Sequence, residues 1–230
     1  MTRVRFAVAM AVAATAFVAV PANALNLVTN GSFESGLTGW TIGGTATDGY
    51  APAAIFYNSA TGYPTGAFGE AIPVNDAPTN SPDAAGERAA YFVSDFATDQ
   101  SLSQTISVVT GGLHQIGFSS YAPANGFANV YDATFKGVVA SVVLANYAVS
   151  TGPSTTWQTF ASSGLNLAAG SYLVEFVFNT SGKPAKDIVI DQVYVIAGDP
   201  PPVPLPAAAW LLISGLAGLG ILGRRKTAAA

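Results

Sequence analysis

Between Leu25 and Ile196 several segments carry apolar residues at every second position, and no long segment carries the three-to-four spacing of an amphipathic helix. In Ser101–Val109, Leu102, Ile106 and Val108 share one face while Ser101, Ser103, Thr105 and Ser107 share the other. After Gly170, Tyr172, Val174, Phe176 and Phe178 alternate with Glu175 and Asn179, and Ile188, Ile190, Tyr194 and Ile196 are expected on one face of the last run. A period of two is a strand with one buried face, and such strands are stable only when a second layer covers that face. Further strands are expected at Arg88–Ser94, Leu113–Tyr121, Phe135–Leu144 and Thr156–Ser162. Turn signals separate them, among them Gly111-Gly112, Pro123-Ala124-Asn125-Gly126 and Thr151-Gly152-Pro153. The expected class is an all-β sandwich of two sheets connected as a meander or Greek key. Gly43–Gly86 breaks the pattern, with Tyr50, Phe56, Tyr57, Tyr63 and Phe68 set among Gly, Pro, Ala, Ser and Asn. One or two short strands and otherwise loops are expected there, forming either a cover over one sheet or a ligand site.

Composition removes most catalytic chemistry. The chain has no cysteine and a single histidine, His114, so disulfide frameworks, thiolate metal sites and cysteine nucleophiles are excluded. No Gly-x-Ser-x-Gly, His-Glu-x-x-His or phosphate loop occurs, and the expectation is a protein that is not an enzyme. Of the nine basic residues only Arg88, Lys136, Lys183 and Lys186 lie between Glu34 and Asp199, against all thirteen acidic residues, which leaves that stretch at a formal −9. A body with that charge and no basic stripe repels nucleic acid.

Both ends read as processing segments. Arg3 and Arg5 precede an apolar run from Phe6 to Val20 and then Pro21-Ala22-Asn23-Ala24, the three parts of a signal peptide with cleavage between Ala24 and Leu25. At the other end Gly198-Asp199-Pro200-Pro201-Pro202 ends the sheet pattern and favours a stiff extended tether. From Ala207 to Gly223 there is no charge, and a helix over that length spans roughly 25 Å, close to a hydrocarbon core. Arg224-Arg225-Lys226 would stay on the cytoplasmic side and Trp210 suits an interface. Val203-Pro204-Leu205-Pro206, Trp210 with the apolar helix, and Arg224-Arg225-Lys226 occur in an order that resembles the PEP-CTERM sorting signal in its VPLPA-type variant. That resemblance covers about the last 25 residues. It implies a substrate of exosortase in a Gram-negative exopolysaccharide producer: a precursor anchored in the inner membrane, then a body at the cell surface or in the biofilm matrix. A permanent single-span anchor is the other reading.

In the body, Asn26-Leu27-Val28-Thr29-Asn30-Gly31-Ser32-Phe33-Glu34-Ser35-Gly36 followed by Gly39-Trp40 resembles the opening of galactose-binding-like jelly rolls found in many carbohydrate-binding modules. Ser101–Ile106 resembles a middle strand of that family and Ile188–Val195 its last strand. The resemblance implies a structural calcium ion held by Glu34 and Asp191. Calcium takes six to eight oxygens, and carbonyls of the Asn30-Gly31-Ser32 turn would add to the two carboxylates. Without an ion, Glu34 would cap a turn and Asp191 would bond backbone amides. Sugars pack their C–H faces on aromatic rings, which makes Tyr50, Tyr57, Tyr63 and Trp157 the candidate glycan contacts, with Trp40 expected in the core.

The expected organisation is a signal peptide over 1–24, a β-sandwich over 25–197, a Pro-rich linker and sorting motif over 198–206, a membrane helix over 207–223 and a basic tail over 224–230. The expected role is a secreted surface or matrix protein whose sandwich binds exopolysaccharide or another matrix glycan. The alternative is a structural matrix protein with no glycan ligand.

Overall fold

The structure, a computed structural model, describes residues 25–46, 50–93, 97–124, 131–152, 154–183 and 185–198. Ten strands follow one another: β1 (Thr41–Ala46), β2 (Ala53–Phe56), β3 (Arg88–Phe92), β4 (Ala97–Val108), β5 (Gly112–Tyr121), β6 (Thr134–Val139), β7 (Val142–Ala148), β8 (Gln158–Leu167), β9 (Gly170–Asn179) and β10 (Ile188–Ala197). They form two five-stranded sheets, ordered β1-β4-β9-β6-β7 (sheet A) and β2-β3-β10-β5-β8 (sheet B). Every strand pairing is antiparallel. From β3 onward each connection crosses to the other sheet except the β6–β7 hairpin, which makes the body a jelly-roll β-sandwich.

The core between the sheets comes from the alternation. Leu102, Ile106 and Val108 of β4 and Val174, Phe176 and Phe178 of β9 point inward against Ile116 and Phe118 of β5 and Phe92 of β3. Phe118 meets Phe176 edge-on at 4.9 Å between centroids, and Phe135 stacks on Phe176 at 6.1 Å. Trp40 is buried there as expected, stacked 5.3 Å from Phe33, with its indole N–H donating to the Asn30 carbonyl. His114 is buried, its Nδ1 2.9 Å from the Gly112 carbonyl.

Two local expectations are corrected. Phe135–Leu144, read as one strand, is the hairpin β6–β7, turning at Ala140 (φ 49°) and Ser141 (φ 63°). A two-residue turn with positive φ at both positions is usually marked by Asn or Gly; here Ala and Ser adopt it without that signal. In β10, Ile188 and Ile190 do not share a face with Tyr194 and Ile196. The register with β5 shifts between Asp191 and Tyr194, where Gln192 has φ 48°. The bulge reverses the alternation, so Val193 and Val195 enter the inter-sheet core while Tyr194 turns to the outer face beside Thr79 and Asn80.

The irregular segment is a third layer. It holds β2 and then crosses the outer face of sheet B, where Tyr57, Ala67, Ile72 and Ala77 pack on Tyr91, Val93, Tyr121, Trp157 and Val189. The opening turn is locked to the bulge: Leu27 N–H donates to the Val195 carbonyl and Val193 N–H to the Gly31 carbonyl. A Cβ at Gly31 would lie 2.1 Å from the Val193 oxygen, so only glycine admits this approach.

Candidate functional site

The antiparallel ladders give the sandwich two poles. The β4–β5, β6–β7 and β8–β9 turns and both ends of the described chain, Leu25 and Gly198, lie at the proximal pole. The connections that lead into β2, β4, β6 and β10 lie at the distal pole, because Ala53 pairs with Tyr91, Ile188 with Phe92, and Thr134 with Asn179.

At the distal pole Tyr50, Tyr63 and Phe68 form a half-buried aromatic trio. Tyr50 meets Tyr63 edge-on at 5.0 Å and Phe68 edge-on at 5.5 Å, while Tyr63 and Phe68 stack at 6.0 Å with an interplanar angle of 19°. Hydrogen bonds fix the rings' backbone and hydroxyl: Gln100 Nε2 donates to the Tyr50 carbonyl at 2.6 Å, and Tyr63 Oη donates to the Ala51 carbonyl at 2.8 Å. Three partly exposed rings held against one another form a stiff apolar surface, which loses little entropy on meeting a ligand. Tyr131, 47% exposed, carries the Lys183 ammonium 4.3 Å over its ring on a neighbouring connection. Phe68 and Tyr131 were not singled out from the sequence; the run of aromatics in the irregular segment was the available signal for the first.

Tyr57 and Trp157, expected as exposed contacts, are buried under the cover. Tyr57 Oη donates to Asp191 Oδ2 at 2.6 Å, and the Trp157 indole N–H donates to the Pro73 carbonyl at 2.9 Å. Each ring found a partner for its polar atom, and that let it go inside. Trp157 packs edge-on against Tyr57 at 6.0 Å and tilted against Tyr121 at 5.4 Å.

Glu34 and Asp191 have separate hydrogen-bond partners, and, after burial, both charges push the Tyr57 phenol up. Glu34 is exposed, and its Oε1 accepts the backbone N–H groups of Glu87 and Arg88, both at 2.9 Å. Gly86 passes so close that a Cβ would sit 2.2 Å from the Glu34 carboxyl carbon, at a φ of +68° that also favours glycine. Asp191 is fully buried: Oδ2 accepts from Tyr57 and from Asn75 Nδ2, while Oδ1 has no partner. Its cross-strand neighbour Ser119 is also fully buried with an unpartnered hydroxyl. Burial pushes the Asp191 carboxyl up to about 8, against the pull of the Tyr57 and Asn75 hydrogen bonds, and the same burial pushes the Tyr57 phenol far up.

An orphaned buried carboxylate oxygen fits a cation, and Glu34 is the second carboxylate that acts electrostatically on Asp191. Among the described residues no group of three or more His, Cys, Asp or Glu side chains forms a metal cluster, so the remaining oxygens would be backbone carbonyls. Of these, the Gly31 carbonyl already accepts Val193 N–H, and the Asn30 carbonyl accepts Phe33 N–H and the Trp40 indole.

Leu25 opens the described chain and is 80% exposed. Ala24, Val203, Pro204, Leu205, Pro206, Trp210, Arg224 and Arg225 lie outside the described residues.

No protein-family model matches the chain, and no curated protein matches it. Among solved structures it is similar to TmCBM61 in complex with β-1,4-galactotriose, at 17% identity and TM-score 0.49 over 76% of this chain and 99% of that one. It is similar to the Family 16 Carbohydrate Binding Module-2, at 12% identity and TM-score 0.41 over 74% and 99%. It is also similar to the K1 cleaved adhesin domain of Lys-gingipain from Porphyromonas gingivalis W83, at 15% identity and TM-score 0.45 over 73% and 96%.

Proposed function

We propose that this is an exported, non-enzymatic surface or matrix protein whose jelly roll binds polysaccharide at its distal pole. The Tyr50–Tyr63–Phe68 trio carries the reading: mutually packed, partly exposed rings at the pole opposite Leu25 and Gly198. In the same proposal exosortase recognises Val203–Pro206, Trp210 and the terminal basic cluster, and the body passes from an inner-membrane precursor to the cell surface or matrix. Calcium, held by Asp191 and Glu34 with backbone carbonyls, stiffens the joint between the opening turn, the cover and β10. It supplies charge to the orphaned Asp191 oxygen and takes no part in any reaction.

Binding of the purified protein to exopolysaccharide and a glycan panel, with calcium and with chelator, tests this. Saturable binding is expected, weakened about tenfold or more by Tyr50→Ala or Tyr63→Ala, a change of about 1.4 kcal/mol. Chelation is expected to lower the melting temperature of the wild type and to leave that of Glu34→Gln nearly unmoved. The burial of Trp40, Tyr57 and Trp157 favours one other reading, a structural matrix protein with no glycan ligand. Absence of saturable binding under both conditions establishes that reading in place of the first.

A further inference from the structure

We infer that the proximal pole is a lipid-facing surface, on which the body rests against the bilayer that receives its C-terminal apolar segment. An apolar groove of about 220 Å³ opens there, lined by Leu25, Leu27, Val108, Val109, His114 and Ala197. Around it Val109 is 85% exposed, Leu25 80% and Leu113 51%, large apolar side chains turned to solvent.

Charge separates this pole from the rest of the body. The turns through 108–114, 139–143 and 167–173 and the ends at 25–29 and 196–198 contain no Asp, Glu, Lys or Arg, although the chain carries thirteen acidic residues. The first charge past the pole is Asp199, which begins the tether. Asp83 reaches this end from the cover, its Oδ2 accepting from Asn26 Nδ2 at 2.7 Å. An apolar end whose own turns carry no charge meets a bilayer with little charge to desolvate, whereas the acidic remainder is repelled by anionic headgroups.

Chain length brings the two together. Gly198 N–H donates to the Leu113 carbonyl at 2.7 Å, so the tether leaves from beside the groove itself. Asp199–Pro206, at most ~3.6 Å per residue when fully extended, reaches no more than about 29 Å before the uncharged segment at 207–223 begins. On the N-terminal side only Pro21–Ala24 separate the apolar 6–20 run from Leu25. Before cleavage at Ala24–Leu25 both apolar segments of the chain therefore join the body at this pole, and afterwards a bilayer holding the C-terminal one still lies within reach of Val109 and Leu113. The inference rests on the reading that 207–223 enters a membrane.

The absence of cysteine makes the test direct. Single-cysteine variants Val109→Cys, Leu113→Cys and, as a reference on the outer face of sheet A, Lys136→Cys are labelled with an environment-sensitive fluorophore. Each full chain is reconstituted into phosphatidylcholine–phosphatidylglycerol vesicles with and without a lipid-borne nitroxide quencher. Labels at 109 and 113 are expected to shift to the blue and lose most of their emission to the quencher, while the label at 136 does neither. Vesicle-bound protein with no quenching at 109 and 113 overturns the docking and leaves the anchor standing. A blue shift without lipid quenching also overturns it, assigning the groove to the chain's own tether or a second copy. Failure to co-sediment with vesicles overturns the anchor reading, and the docking with it.

Discussion

The inter-sheet core and the layer on the outer face of sheet B are both fully buried at their centres, yet they are built from different side chains. The core is phenylalanine and aliphatic: Phe33, Phe92, Phe118, Phe135, Phe176 and Phe178 are fully buried and have no polar atom to satisfy. The outer layer uses tyrosine, and each phenol needs a partner. Tyr57 donates to Asp191 and Tyr91 donates to Asp187 at 2.5 Å, while Asn75 Nδ2 bridges Asp191 and Gln192 Oε1. The first region is held by area and shape, the second by paired polar groups that lie far apart in sequence. A loop with little regular hydrogen bonding of its own can be fixed on a sheet when its few buried polar atoms meet matching ones below.

The comparison breaks most visibly at Phe176. Phe176→Ala removes the ring that Phe118, Phe135 and Trp40 all touch, and a loss of ~3–5 kcal/mol in urea unfolding is expected. Tyr57→Phe keeps the shape of the outer layer and deletes one hydroxyl, leaving Asp191 with Asn75 alone. About 1–3 kcal/mol is expected there, the cost of a buried acceptor losing its donor. Equal losses at the two positions would erase the distinction between the regions.

Alkaline titration sharpens it. Burial first, and then the Glu70 carboxylate that accepts its hydrogen bond, push the Tyr121 phenol up to about 12. Between the ordinary value of 10 and that value the unfolded chain has lost the proton and the folded chain still holds it. Stability contributed by this group is therefore full below 10 and falls as pH rises through about 12. Tyr121→Phe is expected to flatten part of that fall in melting curves taken across the range, with phenolate absorbance as the parallel readout. The phenylalanine core adds no slope. The smallest effect is expected at Ser103→Ala on the uncovered face of sheet A, within about 0.5 kcal/mol of wild type.

Alternation made the inner region legible from sequence, since Leu102, Ile106 and Val108, or Val174, Phe176 and Phe178, need only their own spacing to declare a face. The outer region was not legible for the opposite reason. Tyr57 and Asp191 stand 134 positions apart, and nothing local tells a buried phenol from an exposed one. The bulge at Gln192 was hidden because Ile188–Ile196 is apolar on both parities, so either face assignment satisfied the pattern. Tyr50 and Tyr63 stood out as aromatics in an irregular stretch, but their grouping with Phe68 depends on how the cover folds back across β2 and β3.

The place of β10 has a mechanical consequence. It is the last strand, it lies at the centre of sheet B between β3 and β5, and the tether continues from its end. Pull applied between the distal pole and the chain beyond Gly198 would run lengthwise along this strand. Its ladders on both sides are then loaded together in shear, and they do not peel one bond at a time, so the geometry suits a link that must carry pull.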